Sequence, residues 1–250
     1  MSHDETTSGR RVVLITGGSR GIGAGIARRF AAEGYRVAIA YRSGTAAADR
    51  VLGDIIAAGA QGIAVAGDIA KTEDAKAMVA EVVARFGRID ALVNCAGIAE
   101  YQPFETTDAA HFHAHFDTNV YGTVAMIQAA LPHMPAPGGR IINLSSALAT
   151  RPIPGASIYA ASKAAVSALS HGLAKEFGPR GITVNAIAPG VVDTEMTAEI
   201  LATRGPAITA MTPLGRIGQP DDIAGLALFL ASPDAKWITG QTIIADGGVS

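Results

Sequence analysis

The stretch SIYAASK, residues 157–163, places Tyr159 four residues before Lys163 in a run of small residues that favours a helix. Residues at positions i and i+4 of a helix share one face, one turn apart. A phenol with a pKa of about 10 is poorly matched to proton transfer at neutral pH, and a nearby ammonium favours its ionised form. The pair is therefore either an exposed surface contact or an acid–base group in which the lysine lowers the pKa of the tyrosine.

Two serines follow an apolar run that precedes this pair. Ser145 ends the run RIINLS, residues 140–145, and Ser146 comes next. In open parallel sheets, ligands bind beyond the carboxyl ends of the strands. A hydroxyl at that place can donate a hydrogen bond to a substrate oxygen and stabilise charge as it forms. Both serines are candidates on this ground.

The apolar run RVVLIT, residues 11–16, leads directly into the turn TGGSRGIG and then into a helical pattern. Glycines let the backbone approach a ligand, and a helix start offers free N–H groups to a pyrophosphate. Such a turn can also merely connect a strand to a helix, but its place in a βαβ unit favours a dinucleotide site. The predicted phosphate-binding residues are Gly17, Ser19, Arg20, Gly21, Ile22 and Gly23.

The end of the second strand candidate, AYRSG, indicates which nucleotide binds. Arg42 and Ser43 stand where a carboxylate would contact the ribose of NAD, and Arg20 is a second cation within reach. An arginine fork suits a phosphate monoester. The sequence therefore predicts NADP(H) rather than NAD(H), and the alternative is that Arg42 is a solvated surface charge.

Apolar runs alternate with alanine-rich helical stretches, which predicts an α/β fold with parallel strands joined by crossover helices on both faces of the sheet. Residues 190–219 break this rhythm and predict a loop or short-helix region that forms an apolar lid over a substrate. We predict a disordered tail at residues 1–9 and a single domain at residues 10–250. The seven predicted strands are residues 11–16, 36–41, 62–67, 90–95, 140–145, 182–187 and 241–246.

Composition excludes several classes of protein. The formal charge is -2 and Lys and Arg are scattered, which argues against a nucleic-acid or anionic-membrane surface and favours a small-molecule partner. A single cysteine, Cys95, cannot form an intramolecular disulfide, and the polar start MSHDETTSGR has no apolar signal region. No apolar run approaches the roughly 18 residues of a membrane span. We therefore predict a soluble, cytoplasmic protein.

Two other patterns are weaker candidates for chemistry. HFHAHF puts His111 and His115 on one helix face, at the spacing of a two-histidine metal site, but the sequence shows no third ligand. GASIYA, residues 155–160, partly matches the G-x-S-x-G turn of serine hydrolases, yet it lacks the last glycine and follows a loop. We predict neither a metal site nor a serine hydrolase.

The motifs TGGSRGIG, NCAG, Asn119, NLSS, YAASK and PGVVDT occur in the order and spacing of the classical short-chain dehydrogenase/reductase family, which the chain resembles from about residue 10 to residue 249. The first motif and the end of the chain look most like the 3-oxoacyl-(acyl-carrier-protein) reductases. The resemblance implies a Rossmann-type, doubly wound sheet of order 3-2-1-4-5-6-7 and a homotetramer, or else a homodimer. It also implies further cofactor contacts at Asp68, Ile69, Asn94, Ala96, Gly97, Ile187, Pro189, Gly190, Val192 and Thr194.

The resemblance also implies the roles of single residues. Ser146 is favoured over Ser145 by its spacing to Tyr159, and Lys163 holds the nicotinamide ribose as well as tuning the tyrosine. The backbone carbonyl of Asn119 binds a water on a proton path to Lys163, unless this residue only kinks or caps its helix. Cys95 departs from the second asparagine that is common in the family, and we predict a small buried residue rather than a reactive thiol.

The implied activity is NADP(H)-dependent interconversion of a ketone and a secondary alcohol by hydride transfer, with Tyr159 as the acid/base. The substrate is a 3-oxoacyl thioester of acyl carrier protein or coenzyme A, or another ketone such as a steroid, a cyclic ketone or a sugar derivative. A carrier protein would require a basic patch, for which Arg151, Arg204 and Arg216 are the candidates. The competing class is a non-catalytic NADP(H)-binding regulator.

Overall fold

Seven parallel strands form one sheet in the order β3-β2-β1-β4-β5-β6-β7. The computed structural model describes residues 9–250, so the predicted tail lies outside the described residues except for Gly9. Each predicted strand is found close to its predicted bounds, and the predicted fold class and strand order are confirmed. The strands are β1 (Val12–Thr16), β2 (Arg36–Tyr41), β3 (Gly62–Ala66), β4 (Ala91–Asn94), β5 (Arg140–Leu144), β6 (Thr183–Pro189) and β7 (Thr242–Ala245).

Crossover helices connect the strands. Two of these helices are joined by a π-helical segment, Phe116–Tyr121. Within residues 9–250, no helix is long and apolar enough to cross a membrane. The α-helices are α1 (Gly21–Ala32), α2 (Thr45–Ala57), α3 (Thr72–Phe86), α4 (Ala109–His115), α5 (Gly122–Ala130), α6 (Ser157–Phe177), α7 (Ala198–Met211) and α8 (Pro220–Ala231).

The central strand β1 shows how both faces of the sheet are covered. Its alternate side chains belong to different core clusters, Val13 and Ile15 to one and Val12 and Leu14 to the other, and all four are fully buried. The first cluster contains side chains of α1, α2 and α8, and the second contains side chains of α3, α5 and α6. A strand buried on both faces has no polar side, which explains why the strands appear in the sequence as continuous apolar runs.

The predicted lid region, residues 190–219, contains a longer helix than its sequence pattern predicts. Helix α7 spans 14 residues, carries Pro206 in its interior, and has no buried residue. A helix without a buried face has no apolar stripe, so periodicity could not reveal it. Two large apolar side chains are exposed here: Met196, in the 3-10 turn before the helix, and Met211, the last residue of the helix.

The helical stretch predicted at residues 107–131 is divided into α4, the π-helical segment and α5. A π turn holds one more residue than an α turn, and such turns are frequent at functional sites. Asn119 lies in this segment and is buried. The irregular turn therefore occurs at the residue for which the sequence predicts either a functional or a helix-breaking role.

Candidate active site

Ser146 and Tyr159 lie together at the carboxyl edge of the sheet, one after the end of β5 and the other in the first turn of α6. Ser146 neighbours Tyr159, and hydrogen bonding by its side chain lowers the pKa of the phenol. The Ser146 oxygen also accepts the N–H of Leu148 at 3.1 Å. Because that backbone bond occupies an oxygen lone pair, the hydroxyl proton is left free to point toward the phenol.

Ser145, the other candidate serine, contacts α6 instead. Its hydroxyl donates to the carbonyl of Lys163 at 2.9 Å and lies 2.7 Å from the hydroxyl of Ser167. These contacts hold the end of β5 against α6. The geometry therefore favours Ser146 as the hydroxyl that acts beside Tyr159.

Lys163 is a buried ammonium at the junction of β5 and α6. Only 6% of the residue is exposed, and Nζ donates to the carbonyl of Leu144 at 2.8 Å. Burial lowers the pKa of Lys163 to about 8, and the neighbouring Cys95 opposes this shift. The lysine can therefore exchange a proton much closer to neutral pH than a solvated lysine does.

The pKa of Tyr159 shifts in the direction opposite to the one that its sequence neighbour Lys163 predicts. Burial raises the pKa of Tyr159 to about 12, the hydrogen bond with Ser146 lowers it, and Tyr101 and Cys95 raise it further. Within the chain alone, desolvation of the phenolate is the largest cause of the shift, whereas the predicted lowering of the pKa also counts the positive ring of the oxidised cofactor. A phenol that stays protonated at neutral pH can act as a proton donor.

Asn119 and Lys163 approach each other at Gly97, where a side chain would not fit. A Cβ at Gly97 would lie 2.9 Å from Asn119 Oδ1 and 3.2 Å from Lys163 Nζ. The N–H of Ile98 donates to Asn119 Oδ1 at 2.8 Å, and Asn119 Nδ2 donates to the Ile98 carbonyl at 3.1 Å. The Asn119 backbone carbonyl accepts the Thr123 hydroxyl at 2.9 Å.

The turn between β1 and α1 has the close packing that its glycines predict. A Cβ at Gly17 would lie 2.9 Å from Ala96 Cα, and one at Gly23 would lie 2.2 Å from the Gly17 carbonyl oxygen. Arg20, the N-cap residue of α1, makes no side-chain capping bond. The first N–H groups of α1 are therefore available to an anion. Within the same turn, Ser19 is buried, Gly21 has a positive φ and Ile22 is partly buried.

The Arg20 guanidinium extends from this turn toward the end of β2. A Cβ at Gly44 would lie 2.7 Å from Arg20 Nη2, so the guanidinium lies against the backbone of the β2–α2 loop. Arg20 Nη1 lies 3.0 Å from the carboxylate of Glu195, and both side chains are largely exposed. This pair links the glycine turn to the start of the predicted lid region.

Arg42 and Ser43 lie in the β2–α2 loop, as the sequence predicts, and both are exposed. Arg42 Nη1 is 4.0 Å from a carboxylate oxygen of Asp68, at the end of β3. The next residue, Ile69, is buried and packs on Gly122, where a Cβ would lie 2.7 Å from it. The structure thus places Asp68 beside Arg42, while Ile69 belongs to the core and has little exposed surface.

The segment after β4 is tied to the end of β1. The Thr16 hydroxyl oxygen accepts the N–H groups of Cys95 and Ala96, each at 3.1 Å. Asn94 Nδ2 donates to Asn143 Oδ1 at 2.9 Å on the neighbouring strand. Burial raises the pKa of the Cys95 thiol to about 11, which keeps it protonated and unreactive at neutral pH.

The predicted residues that follow β6 extend from the sheet edge toward the glycine turn. Pro189 ends β6, Val192 is buried, and Gly190 has no room for a side chain because a Cβ would lie 2.7 Å from Asp246 Cβ. Thr194 reaches the turn itself, since a Cβ at Gly21 would lie 3.2 Å from its methyl group. Ile187 is fully buried in β6.

His111 and His115 lie close together, with ring centroids 4.5 Å apart. Both nitrogens of His115 are engaged with backbone groups, Nε2 with the N–H of Glu100 at 3.1 Å and Nδ1 with the carbonyl of His111 at 2.9 Å. Among residues 9–250, no group of three or more His, Cys, Asp or Glu could hold a metal ion.

Sequence reasoning did not identify three residues that border the site. The ring of Tyr101 lies 5.8 Å from that of Tyr159, and Glu195 pairs with the glycine turn. Ser162 accepts from Asn119 Nδ2 at 3.0 Å and donates to the Tyr159 carbonyl at 2.7 Å. Ser162 belongs to the YAASK motif and could have been found there, but the other two reach the site only through tertiary structure.

Comparison with known proteins identifies the family to which the chain is similar. A family model described as enoyl-(acyl carrier protein) reductase matches residues 17–250. An uncharacterized oxidoreductase of Methylorubrum extorquens is 45% identical, covering 96% of this chain and 97% of that one. A 3-oxoacyl-(acyl-carrier-protein) reductase of Staphylococcus aureus is 42% identical, covering 94% and 96%. The structure of a Burkholderia cenocepacia short chain dehydrogenase in complex with NADP has a TM-score of 0.91 and 39% identity, covering 97% and 98%.

The close packing of the glycine turn gives a direct test of its role. We expect Gly23→Ala to weaken NADPH binding by at least about 100-fold, because a Cβ 2.2 Å from the Gly17 oxygen forces the turn apart. Titration of NADPH fluorescence measures this. The matched control is Gly53→Ala in α2, where a Cβ meets nothing within 4 Å. Equal NADPH affinity of the two variants would contradict the assignment.

Proposed function

The chain belongs to the short-chain dehydrogenase/reductase family, and from that membership we propose that it is an NADP(H)-dependent oxidoreductase that interconverts a ketone and a secondary alcohol. The main support is that four side chains converge at one edge of the sheet. Ser146 neighbours Tyr159 and affects its pKa, while Lys163 and Asn119 meet at Gly97. A proton donor, a second hydroxyl and a buried ammonium are what reduction of a carbonyl requires.

The cofactor preference rests on charge around the end of β2. Arg42 and Arg20 bring two guanidinium groups to the β2–α2 loop, and Ser43 carries no charge that would repel a phosphate. Asp68 lies near Arg42, but the two groups are 4.0 Å apart and the arginine side chain is 60% exposed, so its donors remain accessible. This arrangement favours the 2′-phosphate of NADP(H) over the ribose diol of NAD(H). The NADP bound to the Burkholderia relative supports the same preference.

A bound nicotinamide would supply the hydride that reaches the carbonyl carbon. Tyr159 donates its phenolic proton to the carbonyl oxygen as negative charge develops there. Ser146 donates a hydrogen bond to the same oxygen and stabilises that charge. In alcohol oxidation the roles reverse, and the tyrosine must first lose its proton.

Lys163 and Asn119 return a proton to Tyr159. The lysine is buried between β5 and α6 with a lowered pKa, so it can give up a proton and be recharged near neutral pH. We propose that the Asn119 backbone carbonyl, as the family resemblance implies, holds a water that connects the lysine to solvent. Lys163 also holds the nicotinamide ribose, as in the family that the chain belongs to.

The substrate is proposed to be a 3-oxoacyl thioester of coenzyme A or acyl carrier protein. The lid region, residues 190–219, has exposed apolar side chains that suit an acyl chain: Met196, Met211 and Leu214. A steroid, a cyclic ketone or a sugar derivative with an apolar face is the alternative. The Staphylococcus relative named as an acyl-carrier-protein reductase supports the acyl substrate.

A basic docking patch for a carrier protein finds less support. Arg216 makes a two-point ion pair with Asp222, with both distances at 2.6 Å. Arg151 donates to the carbonyl of Val249 at 2.8 Å. Because these arginines have partners within the chain, coenzyme A is the thioester that we would test first.

The proposed assembly is a homotetramer in the cytoplasm, with a homodimer as the alternative. Apolar side chains on α5 and α6 line a groove of about 170 Å³, and Trp237, beside β7, is 95% exposed. Exposed apolar surface at two places suits the two interfaces of a two-fold symmetric tetramer. The groove residues include Val124, Ile127, Leu131, Leu169, Leu173 and Phe177.

The mechanism predicts that NADPH is oxidised by a ketone and that Tyr159→Phe prevents this. We expect kcat to fall by about 100-fold to 10,000-fold while NADPH still binds, because only the proton donor is lost. NADPH absorbance is followed with acetoacetyl-CoA and a panel of cyclic, steroid and sugar ketones, and repeated with NADH. Tyr121→Phe, which removes an exposed hydroxyl elsewhere, is the matched control.

The outcomes of this assay separate the proposals. Turnover of another ketone but not of the thioester would keep the mechanism and refute the substrate. A preference for NADH would refute the cofactor assignment. NADPH binding without turnover of any ketone would favour the non-catalytic regulator.

The effect of Ser146 on the pKa of Tyr159 predicts a pH dependence of alcohol oxidation. Oxidation requires the phenolate, so its rate rises as pH increases through the pKa of Tyr159 in the complex. The Ser146 bond lowers that pKa. We therefore expect Ser146→Ala to move the midpoint of the kcat–pH profile to higher pH. Ser145→Ala is the control, and a shift for Ser145→Ala alone would reverse the assignment of the two serines.

The assembly is tested by light scattering at micromolar concentration. We expect the mass of four chains, because two separate apolar surfaces must be covered. A mass of two chains would support the dimer, and a monomer would contradict both.

A further inference from the structure

Residues 97–103, called here the Tyr101 segment, have no regular secondary structure and place the ring of Tyr101 beside that of Tyr159. Backbone N–H groups outside a helix or sheet must each find a separate partner. Three alternate N–H groups of this segment are bound by three different parts of the chain. Ile98 donates to Asn119 at 2.8 Å, Glu100 to His115 at 3.1 Å and Gln102 to the carbonyl of Gly155 at 3.0 Å.

His115 is the middle partner and is fully buried. Since Nε2 accepts the Glu100 N–H, the ring proton is on Nδ1, which donates to the carbonyl of His111. Both ring nitrogens are thus used, one to fix the ring on α4 and the other to hold the Tyr101 segment. The buried histidine acts as a fixed hydrogen-bond acceptor in an apolar environment.

Tyr101 lies between the His115-bound and Gly155-bound positions of the segment. Its ring centroid is 5.8 Å from that of Tyr159, at an interplanar angle of 57°. The His115 ring is 6.3 Å from Tyr159, at 72°. Tyr101 is 48% exposed, so it presents part of its ring beside the phenol while the remainder packs inward.

We propose that His115 is a positioning residue which, through the N–H of Glu100, holds Tyr101 beside Tyr159, and that Tyr101 selects substrates by the group next to their carbonyl. The selection of substrates rests on the proposed function. A ketone whose carbonyl reaches Tyr159 must place one of its two substituents near the Tyr101 ring. An apolar or flat substituent packs on that ring, whereas a charged one does not.

Loss of the histidine acceptor leaves the Glu100 N–H without a partner, so the segment opens more often. Ser146 and Lys163 are held by their bonds with Leu148 and Leu144, which do not involve His115. We therefore expect KM to rise by about tenfold for ketones with a bulky apolar substituent, with kcat changed by less than about threefold.

Two amide variants of His115 distinguish the loss of the hydrogen-bond acceptor from the loss of the ring's volume. His115→Gln can place an amide oxygen near the Nε2 position, whereas His115→Asn is one methylene shorter and cannot reach Glu100. Hydrogen exchange of the Glu100 amide is measured by mass spectrometry of peptides that cover residues 97–103. We expect exchange about tenfold faster in the Asn variant and near the wild-type rate in the Gln variant. His113→Asn, on the exposed side of α4, is the control.

Kinetic measurements on single and double variants test whether His115 acts through Tyr101. KM is measured for His115→Asn, Tyr101→Leu and the double variant, with one small and one bulky ketone. If the histidine acts through the tyrosine, the Asn substitution adds no further increase in KM once Tyr101 is Leu. Additive effects would refute this route.

Each result decides one part of the proposal. Unchanged Glu100 exchange in a folded His115→Asn variant would overturn the positioning role, whether or not the chain reduces ketones. Faster exchange with unchanged KM for both ketones would overturn the selective role of Tyr101. Absence of ketone turnover in the wild type would refute the proposed function while the exchange result still stands. Should the Asn variant fail to fold, fast exchange of the Glu100 amide in the wild type would itself refute the proposal.

Discussion

The arrangement of the site depends on one buried ammonium. A charge removed from water must be hydrogen-bonded or paired, and Lys163 meets this need with the carbonyl of Leu144 at the end of β5. The same lysine contributes its own carbonyl to the hydroxyl of Ser145, so strand and helix are joined from both sides. This double attachment fixes the first turns of α6, and with them the distance from Tyr159 to Ser146. Gly97 completes the arrangement, because any larger residue would occupy the space that the ammonium and Asn119 share.

Burial has opposite effects on the two titratable groups of this helix. It raises the pKa of Tyr159 to about 12 and lowers that of Lys163 to about 8, because each charged form loses solvation. The two pKa values, which nearly match in water, are therefore moved apart. At neutral pH the tyrosine keeps its proton and the lysine is mostly charged, and because the lysine is the stronger acid it can return a proton to a tyrosine that has lost one. A purely local view, in which an ammonium one turn away lowers the pKa of a phenol, omits the larger contribution of burial.

The sheet was predictable from the sequence because burial on both faces leaves a continuous apolar run for each strand, as in β1. The glycine turn was predictable because only glycine allows contacts such as that of Gly23 with the Gly17 carbonyl. Helix α7 was not, since a helix without a buried face carries no periodic signal. Tyr101 and Glu195 were not either, because each reaches the site from a segment whose path is determined by contacts distant in sequence.

In the proposed enzyme, proton transfer and substrate selection depend on different parts of the chain. Proton transfer rests on groups at the ends of β5 and α6, where each side chain has a buried partner. The surfaces that a substrate would meet first, α7 and the Tyr101 segment, have few buried residues and are held at separate points. Such segments can change in sequence without loss of the core, so selectivity can diverge while chemistry is kept. His115, a buried residue of α4, fixes the Tyr101 segment at one such position. In this way a residue that takes no part in proton transfer can influence which ketone is accepted.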